Sequence, residues 1–293
     1  FTRYASHNIM STQIALLKKY GLPIRGNSGQ HLLIDPNIQR KIVDCLDLEP
    51  RDKVLEIGPG LGALTEEMLS RGAKVWAVEK DQRFVEILKG EFAKEFKGRL
   101  EIIHKDILKL KWEEGAFSKI KGKWKVISNL PYYITAPILF YLIDVRRFIS
   151  KAVLTMQKEV ADRLLAAPGS KDYGRLTLAV RYAADVRHLF DISPTCFTPQ
   201  PKVDSSVLEL VFHEGFQMPK NVNEDFLFYL IRLAFSQRRK TLLHILAHDP
   251  KIKKKRSQLM EVLESVGLSP SVRGESLLLK DYFSLAEKLS SID

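Results

Sequence analysis

Cysteine is scarce: Cys45 and Cys196 are the only two in 293 residues. That excludes a disulfide framework and points to a reducing compartment, which we read as the cytoplasm. No apolar run reaches membrane-spanning length. Residues 1–9 lack the apolar core of a signal peptide, and Met10 reads as the natural start with a short remnant ahead of it. No internal repeat or low-complexity segment is present, which excludes a solenoid. Acidic residues are outnumbered, 35 Asp and Glu against 46 Lys and Arg, for a formal net charge of +11. Such a balance favours an anionic partner, nucleic acid or an acidic membrane surface. Of seven histidines, His244 and His248 stand four apart on an expected helix, which is ligand spacing. Only Asp249 lies nearby to add to them, so no metal site is expected.

What is present is enough for a sizeable core: 45% of residues are hydrophobic, sufficient for one large domain and a small one. A short amphipathic helix over 12–20 ends at Gly21 and Pro23. Asp35-Pro36 caps a helix running to about Leu48. From there strands and helices alternate. Strands are expected at 53–57, 74–78, 100–104, 124–128 and 150–156, and helices at 63–71, 82–96, 135–144, 157–167 and 174–183. That order implies an α/β, mostly parallel, doubly wound sheet. Two further strands, 186–192 and 206–212, are joined by a proline-rich link and read as an antiparallel pair at the sheet edge. After residue 213 only helical periods remain, at 224–236, 238–248, 255–266 and 281–290. The boundaries are therefore a catalytic domain over 10–213, a linker over 214–223 and a small all-helical domain over 224–293.

Chemistry gathers where the strands end, which is where such sheets bind ligands. The strand ending at Ile57 runs into Gly58-Pro59-Gly60-Leu61-Gly62 and then a helix, a loop whose backbone must approach a ligand closely. Glu79 follows about twenty residues later, placed to accept hydrogen bonds from ribose hydroxyls. Gly58, Gly60 and Ala63 also satisfy a dinucleotide pattern, so NAD must be weighed. Three features favour S-adenosylmethionine instead. Glu56, two residues before the loop, can hold the amino-acid end of that cofactor. Asp106, after the third strand, can meet the adenine amino group. Asn129-Leu130-Pro131-Tyr132 ends the fourth, and no base or donor suited to hydride transfer is found.

The Asn129 carboxamide offers an acceptor and a donor together. Pro131 has no backbone N–H, so carbonyl acceptors near it face no competing donor. Tyr132 presents a flat face. The exocyclic nitrogen of adenine is a poor nucleophile, because its lone pair is delocalised into the ring. The Asn129 side-chain oxygen and the backbone carbonyl of Leu130 or Pro131 can bind its two hydrogens and localise that lone pair. Transfer is then an in-line displacement governed by positioning and electrostatics. A paired base cannot reach such a site and must be unpaired or flipped. Tyr132 is the first stacking candidate and Phe197 the second.

The densest basic feature lies between 232 and 256, with nine basic residues and one acid. Arg238, Arg239, Lys240, Lys251, Lys253, Lys254, Lys255 and Arg256 are read as phosphate contacts, which position RNA without reading its sequence. Lys18, Lys19 and Arg25, in an N-terminal stretch free of acids, are read as a second edge of the RNA-binding surface.

Six motifs occur in order: Gly29-Gln30-His31-Leu32-Leu33-Ile34-Asp35, Glu56 to Gly62, Asn129 to Tyr132, Gln157-Lys158-Glu159-Val160, Phe197 to Ser205, and Gln237-Arg238-Arg239-Lys240-Thr241. Together they resemble the KsgA family of small-subunit ribosomal RNA adenine dimethyltransferases, over residue 10 to the end. The resemblance implies a class I S-adenosylmethionine-dependent methyltransferase fold with a helical C-terminal domain. It implies transfer of two methyl groups to N6 of each of two adjacent adenines in a stem-loop near the 3′ end of small-subunit rRNA. The expected partner is that rRNA or a pre-30S-type particle, with no membrane and a monomeric enzyme. By the same resemblance the cofactor contacts fall at His31, Leu33, Gly58, Glu79, Asp106 and Asn129, beside Glu56 and Gly60 read above. His31 is a departure, since many relatives carry asparagine there.

Two rivals share these features. An erythromycin-resistance-type enzyme modifies large-subunit rRNA, but Gln237 to Thr241 and the long helical tail favour the small-subunit enzyme. A ribosome-assembly or transcription-factor role on the same fold needs no catalysis, whereas the Asn129-Tyr132 site is intact.

Overall fold

The computed structural model describes residues 12–22, 31–114, 117, 122–214, 219 and 222–290. Arg25, the Gly29-Gln30 pair and residues 1–9 lie outside them. The strands are β1 (Leu32–Leu33), β2 (Lys53–Ile57), β3 (Lys74–Glu79), β4 (Leu100–His104), β5 (Trp124–Asn129), β6 (Ile149–Gln157), β7 (Ala184–Ile192), β8 (Phe197–Thr198) and β9 (Ser205–Phe212). Helices up to the edge strands are α1 (Thr12–Lys19), α2 (Pro36–Asp44), α3 (Ala63–Ser70), α4 (Gln82–Glu91), α5 (Thr135–Asp144), α6 (Lys158–Leu165) and α7 (Arg175–Ala183). The last four are α8 (Glu224–Ala234), α9 (Leu242–Ala247), α10 (Arg256–Ser265) and α11 (Leu279–Ser290).

Seven strands form one sheet in the order β4-β3-β2-β5-β6-β9-β7. β4, β3, β2, β5 and β6 are parallel, and β9 turns antiparallel to β6, with Gln157 opposite Ser205. β7 runs antiparallel to β9, because Arg187 meets Glu209 while Asp191 meets Ser206. A parallel sheet needs both faces covered, hence strands that read as apolar runs. One face packs Val54, Val75, Ile127, Val153 and Val207 under α2 and α3. A separate pair, β1 with β8, sets Leu33 opposite Phe197.

Helix boundaries follow from caps. Asp35 accepts from the Asn37 and Ile38 N–H groups, and Pro36 occupies the first turn. That helix stops at Asp44, short of Leu48; Asp47 turns the chain at φ +48°. α4 ends at Glu91 rather than 96, and residues 92–99 continue as turns. An eight-residue helix such as α1 is not stable alone. Leu16 and Leu17 bury against Leu61, Phe84 and Ile87, worth about 2 kcal/mol each. Lys19 and the Tyr20 hydroxyl both reach Glu91 at 2.5 Å.

The described residues form two compact units, one within Phe1–Ala161 and Arg187–Phe212, the other within Asp162–Val186 and His213–Asp293. The second unit is helical and draws in α7, which packs on α8 and α11. The sequence boundary at 213 had left α7 in the catalytic domain; its amphipathic face finds its apolar partners in the later helices. Within this unit α9 starts at Leu242, not 238, because Thr241 caps it by accepting from the His244 N–H. Gln237 to Lys240 form turns before that cap.

Candidate active site

A cavity of about 480 Å³ opens in the first unit at the carboxyl ends of β2, β3, β4 and β5. Residues expected to bind the cofactor or base converge on it: His31, Leu33, Glu56, Gly58, Gly60, Glu79, Asp106, Asn129, Leu130, Pro131 and Tyr132 all line it. The volume suits a nucleoside-sized ligand.

The glycine loop forms one wall. Gly60 adopts φ +57°, and a Cβ there would lie 3.2 Å from Leu32. Its N–H donates to Glu79 Oε2 at 3.1 Å, which ties the loop to the end of β3. Glu79 Oε1 accepts from the Lys80 and Asp81 N–H groups at 2.7 and 2.8 Å. Oε2 therefore keeps acceptor capacity for a ligand hydroxyl. Burial raises the Glu79 pKa, against the pull of those three donors.

Glu56 is 2% exposed, and the Thr65 hydroxyl donates to its Oε2 at 2.5 Å. Burial, abetted by nearby Glu79, pushes its pKa from 4.5 up to about 8. Two carboxyls in one partly apolar cavity suit a ligand carrying positive charge. Asp106, after β4, accepts from Leu108 N–H at 3.1 Å and pairs with Lys80 at 2.9 Å. That ammonium holds its carboxyl below the ordinary range.

The far wall comes from three distant segments. Asn129 Nδ2 donates to the His31 carbonyl at 2.9 Å. A carbonyl can only accept, so the amide orientation is fixed and Oδ1 remains the acceptor end. His31 Nδ1 donates to the Pro199 carbonyl at 2.6 Å, across the Thr198–Pro199 cis peptide. The His31 ring lies 5.1 Å from that of Tyr132, tilted by 33°. The Pro131 carbonyl accepts from Ile134 N–H at 3.1 Å and from the Thr135 hydroxyl at 3.3 Å.

The family model for ribosomal RNA adenine dimethylases matches residues 22–283. The chain belongs to that family. Similar curated relatives are the proteins named ribosomal RNA small subunit methyltransferase A in Halothermothrix orenii and Anoxybacillus flavithermus. The first is 40% identical over 278 residues, 94% of this chain and 91% of the relative. The second is 41% identical over 280 residues, 94% of each. A solved dimethyladenosine transferase from Plasmodium falciparum is similar at TM-score 0.74 and 30% identity, over 87% of this chain and 96% of that one. The 23S rRNA methyltransferase ErmE, at TM-score 0.66 and 23% identity over 88% and 99%, shares the fold. That fold is the class I methyltransferase architecture expected from the sequence.

The structure sets two of the expected site residues of this adenine dimethylase in other contacts. Phe197 is 3% exposed and sits in the core with Leu33, Ile42 and Val207, away from the cavity lining. Its β8 pairing with β1 sets the ring in the core, and in this structure it presents no face to the cavity. Arg238 is engaged within the helical unit. Its guanidinium donates to Glu275 and to the carbonyls of Ser170, Lys171 and Tyr173, at 2.7 to 3.3 Å. It fastens the 169–173 turn, which commits most of its donors, although the side chain stays 41% exposed. Arg239, Lys240, Lys251, Lys253, Lys255 and Arg256 are exposed, and Lys254 is half-buried. Lys18 is exposed on α1, whereas Lys19 pairs with Glu91. The His244 and His248 rings lie 4.3 Å apart, tilted by 35°, and no group of three or more potential metal ligands occurs among the described residues.

Sequence reasoning missed Gln13. It is 2% exposed and lines the cavity from α1, outside the alternating core. No spacing rule connects it to a glycine loop some 45 residues later. Tyr133, to which no role was given, lines the mouth at 61% exposure.

Proposed function

We propose that this adenine dimethylase methylates N6 of two adjacent adenines in a stem-loop near the 3′ end of small-subunit rRNA, twice each. It acts as a cytoplasmic monomer on an assembling subunit. The observation that carries this reading is the Asn129 amide, held by its Nδ2 on the His31 carbonyl, in a residue that lines the same cavity as Glu56 and Glu79. Relatives about 40% identical over nearly the whole chain, named small-subunit methyltransferases, support the choice of subunit.

S-adenosylmethionine supplies the methyl group, carried on a sulfonium. The donor set fits it: Glu79 for ribose hydroxyls, Asp106 for the adenine amino group, and Glu56 for the cationic amino-acid end. Gly58 and Gly60 let the backbone come close, and Leu33 and His31 complete the wall. Asn129 Oδ1 accepts one hydrogen of the target amine. The Leu130 carbonyl accepts the other, since the Pro131 carbonyl already serves Ile134 and Thr135. Binding both hydrogens draws the nitrogen toward pyramidal geometry and aims its lone pair. Tyr132 supplies the stacking face for an unpaired base. Lys18, Arg239, Lys240, Lys251, Lys253, Lys255 and Arg256 hold the RNA backbone.

The test is transfer of labelled methyl groups to small subunits lacking the modification, with primer-extension mapping of the product. Methylation of the 3′ stem-loop adenines is expected; label confined to large-subunit RNA would refute the assignment. Asn129→Ala should abolish transfer while cofactor affinity falls only modestly, and near-normal turnover would remove Asn129 from the chemistry.

A further inference from the structure

Tyr132 stands on weak local ground. It opens a one-turn 3-10 segment, Tyr132–Ile134, with two residues between it and the end of β5, and no side chain caps that turn. A ring on such a turn has no reason of its own to hold one orientation. Yet its hydroxyl lies 2.7 Å from Ser205 Oγ. Ser205 is fully buried, with no exposed surface. It begins β9, opposite Gln157 on β6, and β6 in turn pairs with β5 at Asn129. Its hydroxyl is therefore carried by the same rigid sheet that carries the amide acceptor. Ser205 does not line the cavity. Burial also raises the Tyr132 phenol pKa, so the hydroxyl stays protonated at working pH. On the other side the ring rests against His31, itself fastened to Pro199 and Asn129.

We propose that Ser205 is a positioning residue for the reaction: its hydroxyl, with the His31 ring behind, locks the Tyr132 ring at the angle the target adenine needs. The proposal rests on the reading of Tyr132 as the stacking partner of that base. The lock matters most at the second transfer. A monomethylated amine has one hydrogen left, so only one acceptor can still hold it. The stacking surface then carries a larger part of the alignment. Loosening the ring should therefore slow the second methyl more than the first, and monomethyladenine should accumulate.

The experiment is a double-mutant cycle on the full chain with small subunits as substrate. Tyr132→Phe, Ser205→Ala and the double variant are compared in single-turnover transfer, with N6-methyl- and N6,N6-dimethyladenosine quantified by mass spectrometry. Each single change is expected to slow the second transfer about tenfold, the loss when one buried hydrogen bond no longer aligns a reacting group. The double variant should be no slower than the slower single one, because both remove the same bond. Cofactor affinity should stay at the parent value, and the melting temperature should fall by only a few degrees, as for the loss of one buried hydrogen bond. Rate losses that multiply, an unchanged mono-to-dimethyl ratio, or cofactor affinity falling in parallel would each overturn the lock. Tyr132→Ala separates the two claims. If it slows transfer while Tyr132→Phe and Ser205→Ala do not, stacking stands and the lock fails. If it has no effect, the stacking reading fails with it.

Discussion

Replacing Glu56 by glutamine should make the unliganded protein more stable, and increasingly so as pH rises. Glu56 is buried beside Glu79 with Thr65 as its hydrogen-bond donor, and its pKa rises from 4.5 to about 8. Because the folded pKa lies above the unfolded one, the folded state holds a proton that the unfolded chain releases. Stability from this group is fully present below 4.5 and is lost as pH climbs through 8. At 1.36 kcal/mol per pH unit the cost is about 3 kcal/mol at pH 7 and about 5 kcal/mol above pH 8. Glutamine keeps a carbonyl for the Thr65 hydroxyl and carries no charge to desolvate. The stability difference between Glu56→Gln and the parent should be near zero around pH 5 and reach a few kcal/mol at pH 8.5. Urea unfolding at pH 5.5, 7 and 8.5 without ligand measures it. A variant less stable than the parent at pH 8.5, or a difference that does not grow with pH, would refute the reasoning. The same substitution should weaken S-adenosylmethionine binding and abolish the proton release that accompanies it, as read by calorimetry in buffers of different ionisation enthalpy.

Replacing Lys253, Lys254 and Lys255 together by glutamine should flatten the logarithmic salt dependence of RNA affinity by about 2, less than one per lost phosphate contact; an unchanged slope removes them from the interface. Arg238→Ala should leave that slope intact but cost about 2 kcal/mol of stability, since three carbonyls and Glu275 lose their donor. Loss of RNA affinity at unchanged melting temperature would reverse the assignment. Gly62→Ala should destabilise the fold by about 3 kcal/mol, because φ is +84° and the new carbon would fall 2.5 Å from the Phe92 ring. A parent-like melting temperature would show that the loop relaxes freely.

The sheet and its ligand end were readable because they rest on periodicity and punctuation. Apolar runs of five or six residues, each ended by a glycine, acid or amide, can be counted without knowing what packs on them. The acids at Glu79 and Asp106 therefore landed where expected. Phe197 could not be placed that way: an aromatic after a proline-rich link reads alike as a stacking face or a core plug, and only the pairing of Thr198 with Leu32 decides. The internal partners of Arg238 were hidden for a similar reason. In a run of three cations nothing local marks the one whose partners lie some 65 residues earlier. Ser205 closes the Phe197 motif without declaring a role, since a lone hydroxyl announces nothing until Tyr132 is brought to it. The α7 helix is legible as a helix, but its apolar face shows that it packs and not on what.

The β1–β8 pair has a consequence for how the enzyme comes into being. His31 meets Pro199 across 168 positions of chain, and Tyr132 meets Ser205 across 73. Synthesis runs from the amino end, and long-range pairings form late. The glycine loop and its acids can assemble once β5 is made, so a nascent chain has most of a cofactor cradle before it has a place for the base. The far wall closes only after residue 205 has left the exit tunnel.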